Sequence, residues 1–262
     1  MRDGVGPYPL FACVNWNHLR EDLERLHESL VSLTVVTDPF GDYDEVLLRD
    51  CFPHLVRPFK KHYVVDLDVP LERAVSRHHQ RNVRRALSEL SVEIVAQPLE
   101  ILEEWVRLYE QLCARHRITG MARFSRRAFR EQLALAGALV LAARVGREIV
   151  GITIWYVRGH CGYYHLGASS APGYERRASF GLFWRAFETL AEWGIRHVAL
   201  GGSSGLTDRA DGLARFKDGW ATRTLQSYLC GRICNEASYA ALSEARASVD
   251  RTYFPAYRAS EV

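Results

Sequence analysis

The sequence lacks any long apolar run. No stretch of its 262 residues approaches the roughly 18 consecutive apolar residues that a membrane-spanning helix needs. The first residues also lack the basic start and the apolar stretch that are typical of a secretory signal. We therefore expect a protein without a transmembrane segment that is located in the cytoplasm.

Paired cysteines and strong charge are also missing. The six cysteines show no disulfide framework, so we expect reduced and mostly buried thiols. Cys230 and Cys234 form a C-x3-C pair, but a zinc finger would need a second pair, and we predict no metal site. The net charge of +3 does not indicate a nucleic-acid-binding protein by itself, although local clusters can still bind phosphates.

The composition that is present is that of an ordinary globular protein. With 48% hydrophobic and 25% charged residues, the chain can bury a core of normal size. Its length suggests one large domain or two small ones that share a core. Helical periodicity predicts helices at 17–30, 44–51, 71–90, 99–116 and 125–136, and strand patterns predict strands at 31–37, 62–69 and 91–96.

The predicted helix 71–90 carries a row of arginines. Arg73, Arg77, Arg81 and Arg84 follow one another at steps of four, four and three, which places them on one helix face. One interpretation is a solvated charged surface. The other is a binding surface for a phosphorylated or acidic acceptor, or for an RNA backbone.

The second half of the sequence has a different pattern. Strands at 138–145 and 148–157 are joined at Gly146-Arg147, which is a hairpin signal, and a third strand follows at 161–170. After a loop rich in Ser, Gly and Pro, an amphipathic helix runs from about Phe180 to Gly194 and leads to a strand at 197–202. A helix near 209–217, a strand near 220–230 and a helix near 235–247 complete the pattern.

This order of elements predicts where a ligand binds. The strands at 161–170 and 197–202 are joined by a helical crossover, so we expect them to be parallel. A helix N-terminus favours phosphate, and the segment before this helix offers Arg176, Arg177, Ser179 and Gly181. Small residues allow the backbone to approach a pyrophosphate, and the arginines supply positive charge.

Residues 138–230 resemble the core of the GNAT acyltransferase superfamily. In that family, a pattern Gln/Arg-x-x-Gly-x-Gly/Ala holds the pyrophosphate of coenzyme A; here Arg176-x-x-Ser179-x-Gly181 has Ser in place of the first Gly. The resemblance implies an α/β protein with an α+β mixed sheet, the GNAT fold, with acetyl-CoA or another acyl-CoA as co-substrate and no metal. It also implies donor contacts at Leu166, Gly167 and Ala168, in addition to Arg177 and the three pattern residues.

A narrower resemblance covers more of the chain. The helix 78–86, the segment 105–109 and GLARFKDGW at 212–220 are similar to the FemAB-like branch of GNAT proteins, which includes BioF2-like acetyltransferase domains. The Phe-Lys motif of that branch matches at Phe216-Lys217, which implies a role at the acyl-transfer site for Lys217. The resemblance further implies a reduced N-terminal GNAT-like half at 1–96 and a C-terminal acyltransferase domain at 97–262.

Acyl transfer to an amine needs a neutral nucleophile, stabilisation of the oxyanion and a path for the proton. Backbone N–H groups of the strand 163–168 can hold the oxyanion if a bulge splays it. His165 has an intrinsic pKa suited to accept the proton, and strand alternation places it opposite Tyr164. Tyr228 is a candidate acid by resemblance, and Asp208 is either an acceptor contact or a helix cap.

Three functions agree with these features. The first is an N-acyltransferase that moves an acetyl or acyl group from acyl-CoA to a small-molecule or saccharide amine, such as an amino sugar or a cell-envelope or exopolysaccharide precursor. The second is a FemAB-like peptidyltransferase that uses aminoacyl-tRNA, the one case in which nucleic acid is a partner. The third is a non-catalytic GNAT-like binding module. The sequence does not indicate an oligomeric state.

Overall fold

The structure, a computed structural model, describes residues 2–6, 11–26, 29–120, 123–202, 212–245 and 253–261. Contacts group the chain into two compact units. The first unit comprises Met1–His62 and Leu225–Val262, and the second unit comprises Tyr63–Thr224. The division predicted from the sequence, a reduced GNAT-like half at 1–96 packed on an acyltransferase domain at 97–262, stays a prediction.

The first unit is a small sheet with helices. Its β2 strand pairs in parallel with β1 and antiparallel with β9. Trp16, Leu48, Phe52 and Cys230 are fully buried or nearly so and form part of its core. Its elements are β1 Arg2–Val5, α1 Leu19–Leu26, β2 Leu30–Val36, α2 Glu45–Cys51, the start of β3 Leu55–Asp66, most of β9 Arg223–Ile233, and α10 Glu236–Glu244.

The second unit contains six neighbouring strands of the sheet, in the order β3-β8-β7-β6-β5-β4. The β7 and β8 strands pair in parallel, as the helical crossover predicts, and the other described pairs are antiparallel. Its elements are α3 Leu71–Ala74, α4 Arg77–Glu89, β4 Ser91–Ile94, α5 Leu102–His116, α6 Arg126–Leu133, β5 Ala138–Val145, β6 Glu148–Arg158, β7 Cys161–Ser169, α7 Ala171–Glu175, α8 Ala178–Glu192, β8 His197–Ala199 and α9 Gly212–Asp218. The predicted mixed α/β class is confirmed.

Helices cover both faces of this sheet. On one face, the rings of Trp155 and Phe183 lie 4.9 Å apart, which joins β6 to α8. The neighbouring residue Tyr156 points to the other face, where its hydroxyl donates to the carbonyl of Gln132 on α6. Ser125 caps α6, because its hydroxyl accepts the N–H of Ala128 at 3.2 Å.

The predicted helix 71–90 is wrong at one point. The chain forms two helices, and Val75 and Ser76 between them have extended backbones with ψ of 135° and 145°. Ser76 caps α4 by accepting the N–H of His79, and its own N–H donates to the carbonyl of Gly219. Arg73 therefore belongs to a different helix from the other arginines of the row.

The segment interpreted as a loop after the third strand is also a helix. Ser170 caps α7 by accepting the N–H of Gly173, and Pro172 lies in its first turn, where a missing N–H costs little. A Cβ atom at Gly173 would lie 2.2 Å from the carbonyl oxygen of Val150. The glycine thus serves the close packing of α7 on β6.

Candidate functional site

The parallel strands β7 and β8 of the second unit separate after Tyr163 of β7. They pair at Cys161, Gly162 and Tyr163, but β8 ends at Ala199 while β7 continues to Ser169. The chain after β8 turns towards β3, because the N–H of Leu200 donates to the carbonyl of Tyr63. Within β7, residues 164–167 are only half-buried, whereas the residues on either side are buried. This arrangement leaves a cleft beside residues 164–167.

A β-bulge lies at the same place. Ile154 on β6 pairs with Leu166, and the next residue, Trp155, pairs with Tyr164, so His165 is the extra residue on β7. A bulge breaks the ladder and turns backbone groups away from it. The bulge on which the oxyanion site depends is present, and it lies beside Leu166, Gly167 and Ala168, the segment implied to contact the donor.

His165 faces the α5 and α6 side of the sheet. Its ring lies 5.2 Å from that of Tyr156 and 6.0 Å from that of Phe124, and its Nε2 lies 3.1 Å from Oε1 of Gln132. Burial lowers the pKa of His165 to about 4, so the ring is neutral at neutral pH. Because the amide oxygen accepts, Nε2 carries the proton and the lone pair is on Nδ1.

Tyr164 lies on the opposite face, as strand alternation predicts. Its ring packs 4.8 Å from Phe183 on α8 and 4.9 Å from Trp155. Burial raises the pKa of Tyr164 above its ordinary value, so the phenol keeps its proton. A Cβ atom at Gly167 would lie 2.6 Å from the Tyr164 hydroxyl oxygen, which shows that this hydroxyl reaches the glycine of the cleft.

Arg177 precedes α8 in an unusual conformation. Its φ of 59° and ψ of 37° are left-handed, a strained state for a residue other than glycine, and its side chain does not cap the helix. Its Nε atom is buried and has no hydrogen-bond partner among the described residues. An unpaired buried N–H costs about 1–3 kcal/mol, and an anion at the N-terminus of α8 would remove this cost.

The other residues of the expected pyrophosphate pattern have different surroundings. Arg176 donates to the carbonyl of Pro172 at 3.2 Å and lies 3.9 Å from carboxylates of Glu89 and Glu175. Ser179 lies half-buried in the first turn of α8. A Cβ atom at Gly181 would lie 3.4 Å from that of Ala86 on α4, so this glycine serves helix packing. The donor contacts of all three residues stay predictions.

Lys217 is a buried cation at the end of β8. It is only 6% exposed, and its Nζ donates to the carbonyl of Gly202 at 2.6 Å. Its neighbour in the motif, Phe216, points elsewhere and packs 4.9 Å from the ring of Phe183. The two residues of the motif therefore have different roles. The phenylalanine packs in the core, and the lysine binds the backbone carbonyl of Gly202, just after β8 ends.

His79 is a residue that the sequence analysis did not single out. Its Nε2 lies 2.8 Å from the carbonyl of Phe216 and must donate to it, while its Nδ1 accepts the hydroxyl of Ser76 at 3.0 Å. Burial lowers the pKa of His79, in keeping with a neutral ring. A Cβ atom at Gly219 would lie 2.1 Å from this ring. His79 thus fixes α4 to the Phe-Lys segment.

Three arginines of the predicted row share one exposed surface of α4. Arg77, Arg81 and Arg84 are exposed and form no ion pair with any described residue. Helix α4 carries four arginines and one glutamate, a net +3 that equals the net charge of the whole chain. The charges of the residues outside α4 therefore sum to zero, and the net positive charge of the chain equals that of this helix.

Two further predicted residues lie outside this arrangement. Tyr228 is on β9 in the first unit, where its hydroxyl lies 2.9 Å from a carboxylate oxygen of Glu45. Burial, and then that carboxylate, raises the pKa of Tyr228. Asp208 lies outside the residues that the structure describes. The catalytic role of Tyr228 and the acceptor contact of Asp208 stay predictions.

The chemistry of these groups can be stated from the second unit alone. It has a half-buried strand segment with a bulge, a neutral imidazole, and a helix N-terminus with an unpaired guanidinium N–H. No group of three or more His, Cys, Asp or Glu side chains within the described ranges is arranged to hold a metal ion. Nor is any described helix long and apolar enough to cross a membrane. The arrangement suits a ligand with an anionic end and an extended neutral part.

Known proteins share this architecture. The profile of the family described as "Acetyltransferase (GNAT) domain" matches residues 73–218. The crystal structure of FemX matches with a TM-score of 0.68 and 14% identity, over 91% of this chain and 82% of that one. The C-terminal domain of a putative lysylphosphatidylglycerol synthetase from Agrobacterium fabrum matches with a TM-score of 0.62 and 19% identity, over 88% and 76%.

A third solved structure is similar to the same extent. L-PGS from Bacillus licheniformis matches with a TM-score of 0.59 and 17% identity, over 85% of this chain and 74% of that one. No curated protein matches the sequence. At these identities, the structural likeness concerns the fold.

Proposed function

The chain belongs to the family of GNAT acetyltransferase domains and is an acyltransferase, and we propose that it moves an acetyl or other acyl group from acyl-CoA to an amine. The expected GNAT fold is confirmed, and the likeness to FemX is consistent with the FemAB-like branch. The donor, the acceptor and the roles of individual residues are part of the proposal.

One observation carries the choice of donor. The half-buried segment 164–167 of β7 and the N-terminus of α8, with the unpaired Nε of Arg177, belong to the same strand–helix crossover. An acyl-CoA has an extended neutral arm and an anionic diphosphate, which match these two features. Arg177 and the first N–H groups of α8 would hold the diphosphate, and the backbone at Leu166, Gly167 and Ala168 would hold the arm.

Coenzyme A supplies the acyl group as an activated thioester. The protein must then stabilise the negative charge that develops on the carbonyl oxygen. We assign this role to backbone N–H groups at the His165 bulge, because a bulge frees such groups from the ladder. Lys217 fixes the segment just after β8 through its bond to Gly202, and its positive charge lies at the end of that strand.

His165 is proposed as the group that receives the proton of the amine. Its pKa of about 4 makes it a weak base, but it is unprotonated throughout the neutral range and its Nδ1 carries a lone pair. Gln132 holds the ring in this tautomer. A neutral ring that accepts a hydrogen bond orients the attacking amine and takes its proton as the N–C bond forms.

The exposed surface of Arg77, Arg81 and Arg84 supports an acceptor that carries phosphate or carboxylate groups. These arginines have no carboxylate partner among the described residues, so an anionic acceptor would meet unpaired guanidinium groups. An amino sugar or an envelope polysaccharide precursor with such groups fits this surface. That choice of acceptor rests on the resemblance to the FemAB-like branch.

The same surface favours a second candidate donor, an aminoacyl-tRNA. Nucleic-acid binding depends mainly on contacts to phosphates, and α4 holds a positive charge equal to that of the whole chain. An aminoacyl-tRNA is an acyl ester, so the bulge and His165 would serve the same transfer chemistry. The two candidate donors, acyl-CoA and aminoacyl-tRNA, differ in the group that would bind at the N-terminus of α8.

Thermal unfolding with added ligands tests the proposal. Acetyl-CoA or desulfo-CoA at 100-fold excess over Kd is expected to stabilise the fold by about 2.7 kcal/mol. Stabilisation by either one, together with release of the CoA thiol from acetyl-CoA when an amine is added, supports the acyl-CoA donor. The absence of a shift with any CoA would overturn it, and salt-sensitive retention of charged tRNA on a filter would then support the second candidate.

A further inference from the structure

A row of four side chains crosses the second unit at the end of the sheet where β7 begins. Arg158 on β6 lies opposite Cys161 on β7, Cys161 lies opposite His197 on β8, and His197 lies opposite Asp66 on β3. Directly opposite residues on neighbouring strands share a face, and the strands are about 4.8 Å apart. The side chain of Cys161 therefore projects from the same face of the sheet as those of Arg158 and His197, with Asp66 on the far side of His197.

The carboxylate orients the imidazole. Nδ1 of His197 lies 2.7 Å from Oδ1 of Asp66; Arg223 also donates to this oxygen, and the Thr222 hydroxyl donates to Oδ2 of the same carboxylate. Arg223, and to a smaller degree Thr222 and His197, hold the pKa of Asp66 down to about 2, so this carboxyl is ionised and acts as an acceptor. The proton of the neutral ring is then on Nδ1, and Nε2 carries the lone pair that can take a proton.

Among the described residues, those around the thiol are mainly cationic. Arg223 lies close enough to Cys161 for the two to interact electrostatically. Arg158 stands on the neighbouring strand, and Arg196, the residue before β8, adds a further guanidinium group. Asp66 is the carboxylate in this row. Nearby cations stabilise a thiolate relative to a thiol, and the thiolate is the nucleophile.

Cys161 is partly exposed. Cys161 and Cys13 are half-buried, whereas the other four cysteines are buried. Cys13 lies in the first unit, outside the strand pairs of this row. Cys13 is therefore a control for Cys161. Both cysteines are half-buried, but only Cys161 belongs to the row with Arg158 and His197.

We propose that Cys161 is a reactive thiol that forms mixed disulfides with small disulfides that carry carboxylates. The cationic surroundings favour anionic reagents by charge complementarity. The Cys161 sulfur attacks one sulfur of the disulfide as its proton passes to His197, a new S–S bond forms, and the old one breaks. The leaving thiolate takes that proton from His197, so no other oxidant is consumed. This site lies at the start of β7 and does not depend on the acyl-transfer proposal.

Dithiobis(nitrobenzoate), a disulfide with two carboxylates, is the probe. Native protein should release nitrothiobenzoate in a fast phase that is kept in Cys13→Ser and lost in Cys161→Ser. The rate of this phase should rise with a midpoint below the pH of about 8.5 at which an ordinary thiol ionises. His197→Gln and Arg158→Gln should each slow it at least about threefold at pH 7.

Two further measurements keep the test independent of the variants. Mass spectrometry of briefly labelled wild-type protein should find the nitrothiobenzoate group on Cys161 before Cys13, even if a variant does not fold. The neutral disulfide dithiodipyridine should discriminate less between the two thiols. Equal labelling of Cys161 and Cys13, or a midpoint for Cys161 at about 8.5, would overturn the proposal.

Discussion

The ammonium group of Lys217 donates to the carbonyl oxygen of Gly202 at 2.6 Å, and only 6% of the lysine is exposed. A hydrogen bond from a charged donor contributes about 1.5–3 kcal/mol, and its loss leaves the carbonyl without this donor. Lys217→Met should lower the free energy of unfolding by about that amount, measured by urea denaturation. It should also lower kcat/KM, because Gly202 follows the strand that borders the cleft.

Lys61→Met is the matched control for this variant. Lys61 is exposed on β3, and such surface substitutions usually change stability by less than about 0.5 kcal/mol. If Lys217→Met were as stable and as active as Lys61→Met, the proposed role of Lys217 would be wrong.

The stability of the protein should depend on pH through His165. Its pKa is about 4 in the folded chain and about 6.5 in the unfolded chain, so between these values the unfolded chain binds more protons. The contribution of His165 to the free energy of unfolding should therefore be fully present above pH 6.5. It should be lost as the pH falls towards 4, which lowers the free energy of unfolding by on the order of 3 kcal/mol. Urea denaturation at a series of pH values measures this slope.

His165→Asn should reduce that slope but not abolish it, because burial lowers the pKa of His79 in the same direction. His116→Asn, a change at an exposed position on α5, should keep the wild-type slope. An unchanged slope in His165→Asn would mean that His165 titrates alike in the folded and unfolded chains.

The sequence predicts those elements of the second unit that depend on patterns within a short stretch of residues. The hairpin of β5 and β6 follows from the turn signal between the strands, and the parallel β7–β8 pair follows from the helical crossover that joins them. Helix α7 does not follow from such patterns, because Gly173 and Pro172 are typical of loops, and the helix depends on a close approach to Val150. Local patterns could not predict that approach.

The candidate site shows the same limit. The place of His165 on the strand could be predicted, but its partner Gln132 lies 33 residues away and has no sequence signal. The left-handed backbone of Arg177 and its unpaired Nε were likewise unpredictable, since non-glycine residues rarely adopt this conformation. Long-range contacts decide these features.

Gly173→Ala should destabilise the second unit. The added Cβ would lie 2.2 Å from a backbone oxygen, which cannot move as a side chain can. We expect a loss of about 1–3 kcal/mol in the free energy of unfolding by urea denaturation. Gly212→Ala is the control, since a Cβ there meets nothing within 4 Å, and it should be neutral or stabilising. Equal stability of the two variants would contradict the packing of α7.

The arginine surface of α4 should set the preference for anionic acceptors. Arg81→Glu should reduce kcat/KM for glucosamine 6-phosphate at least about tenfold and leave that for glucosamine nearly unchanged, because it reverses a charge that faces the phosphate. Arg127→Glu on α6 is the control, since Arg127 is exposed but already pairs with Glu131 at 3.1 Å. An equal loss for both amines in Arg81→Glu would indicate a structural role instead.

The binding of coenzyme A tests the central claim most directly. Isothermal titration should be compared for the wild type, Arg177→Gly and Arg117→Gly, because both arginines have left-handed backbones, with φ of 59° and 53°. Glycine relieves the backbone at both positions, but only Arg177 offers its Nε at the N-terminus of α8. We predict that the wild type and Arg117→Gly bind equally, and that Arg177→Gly binds at least about tenfold more weakly. Equal affinity in all three proteins, or no binding by the wild type, would contradict the account.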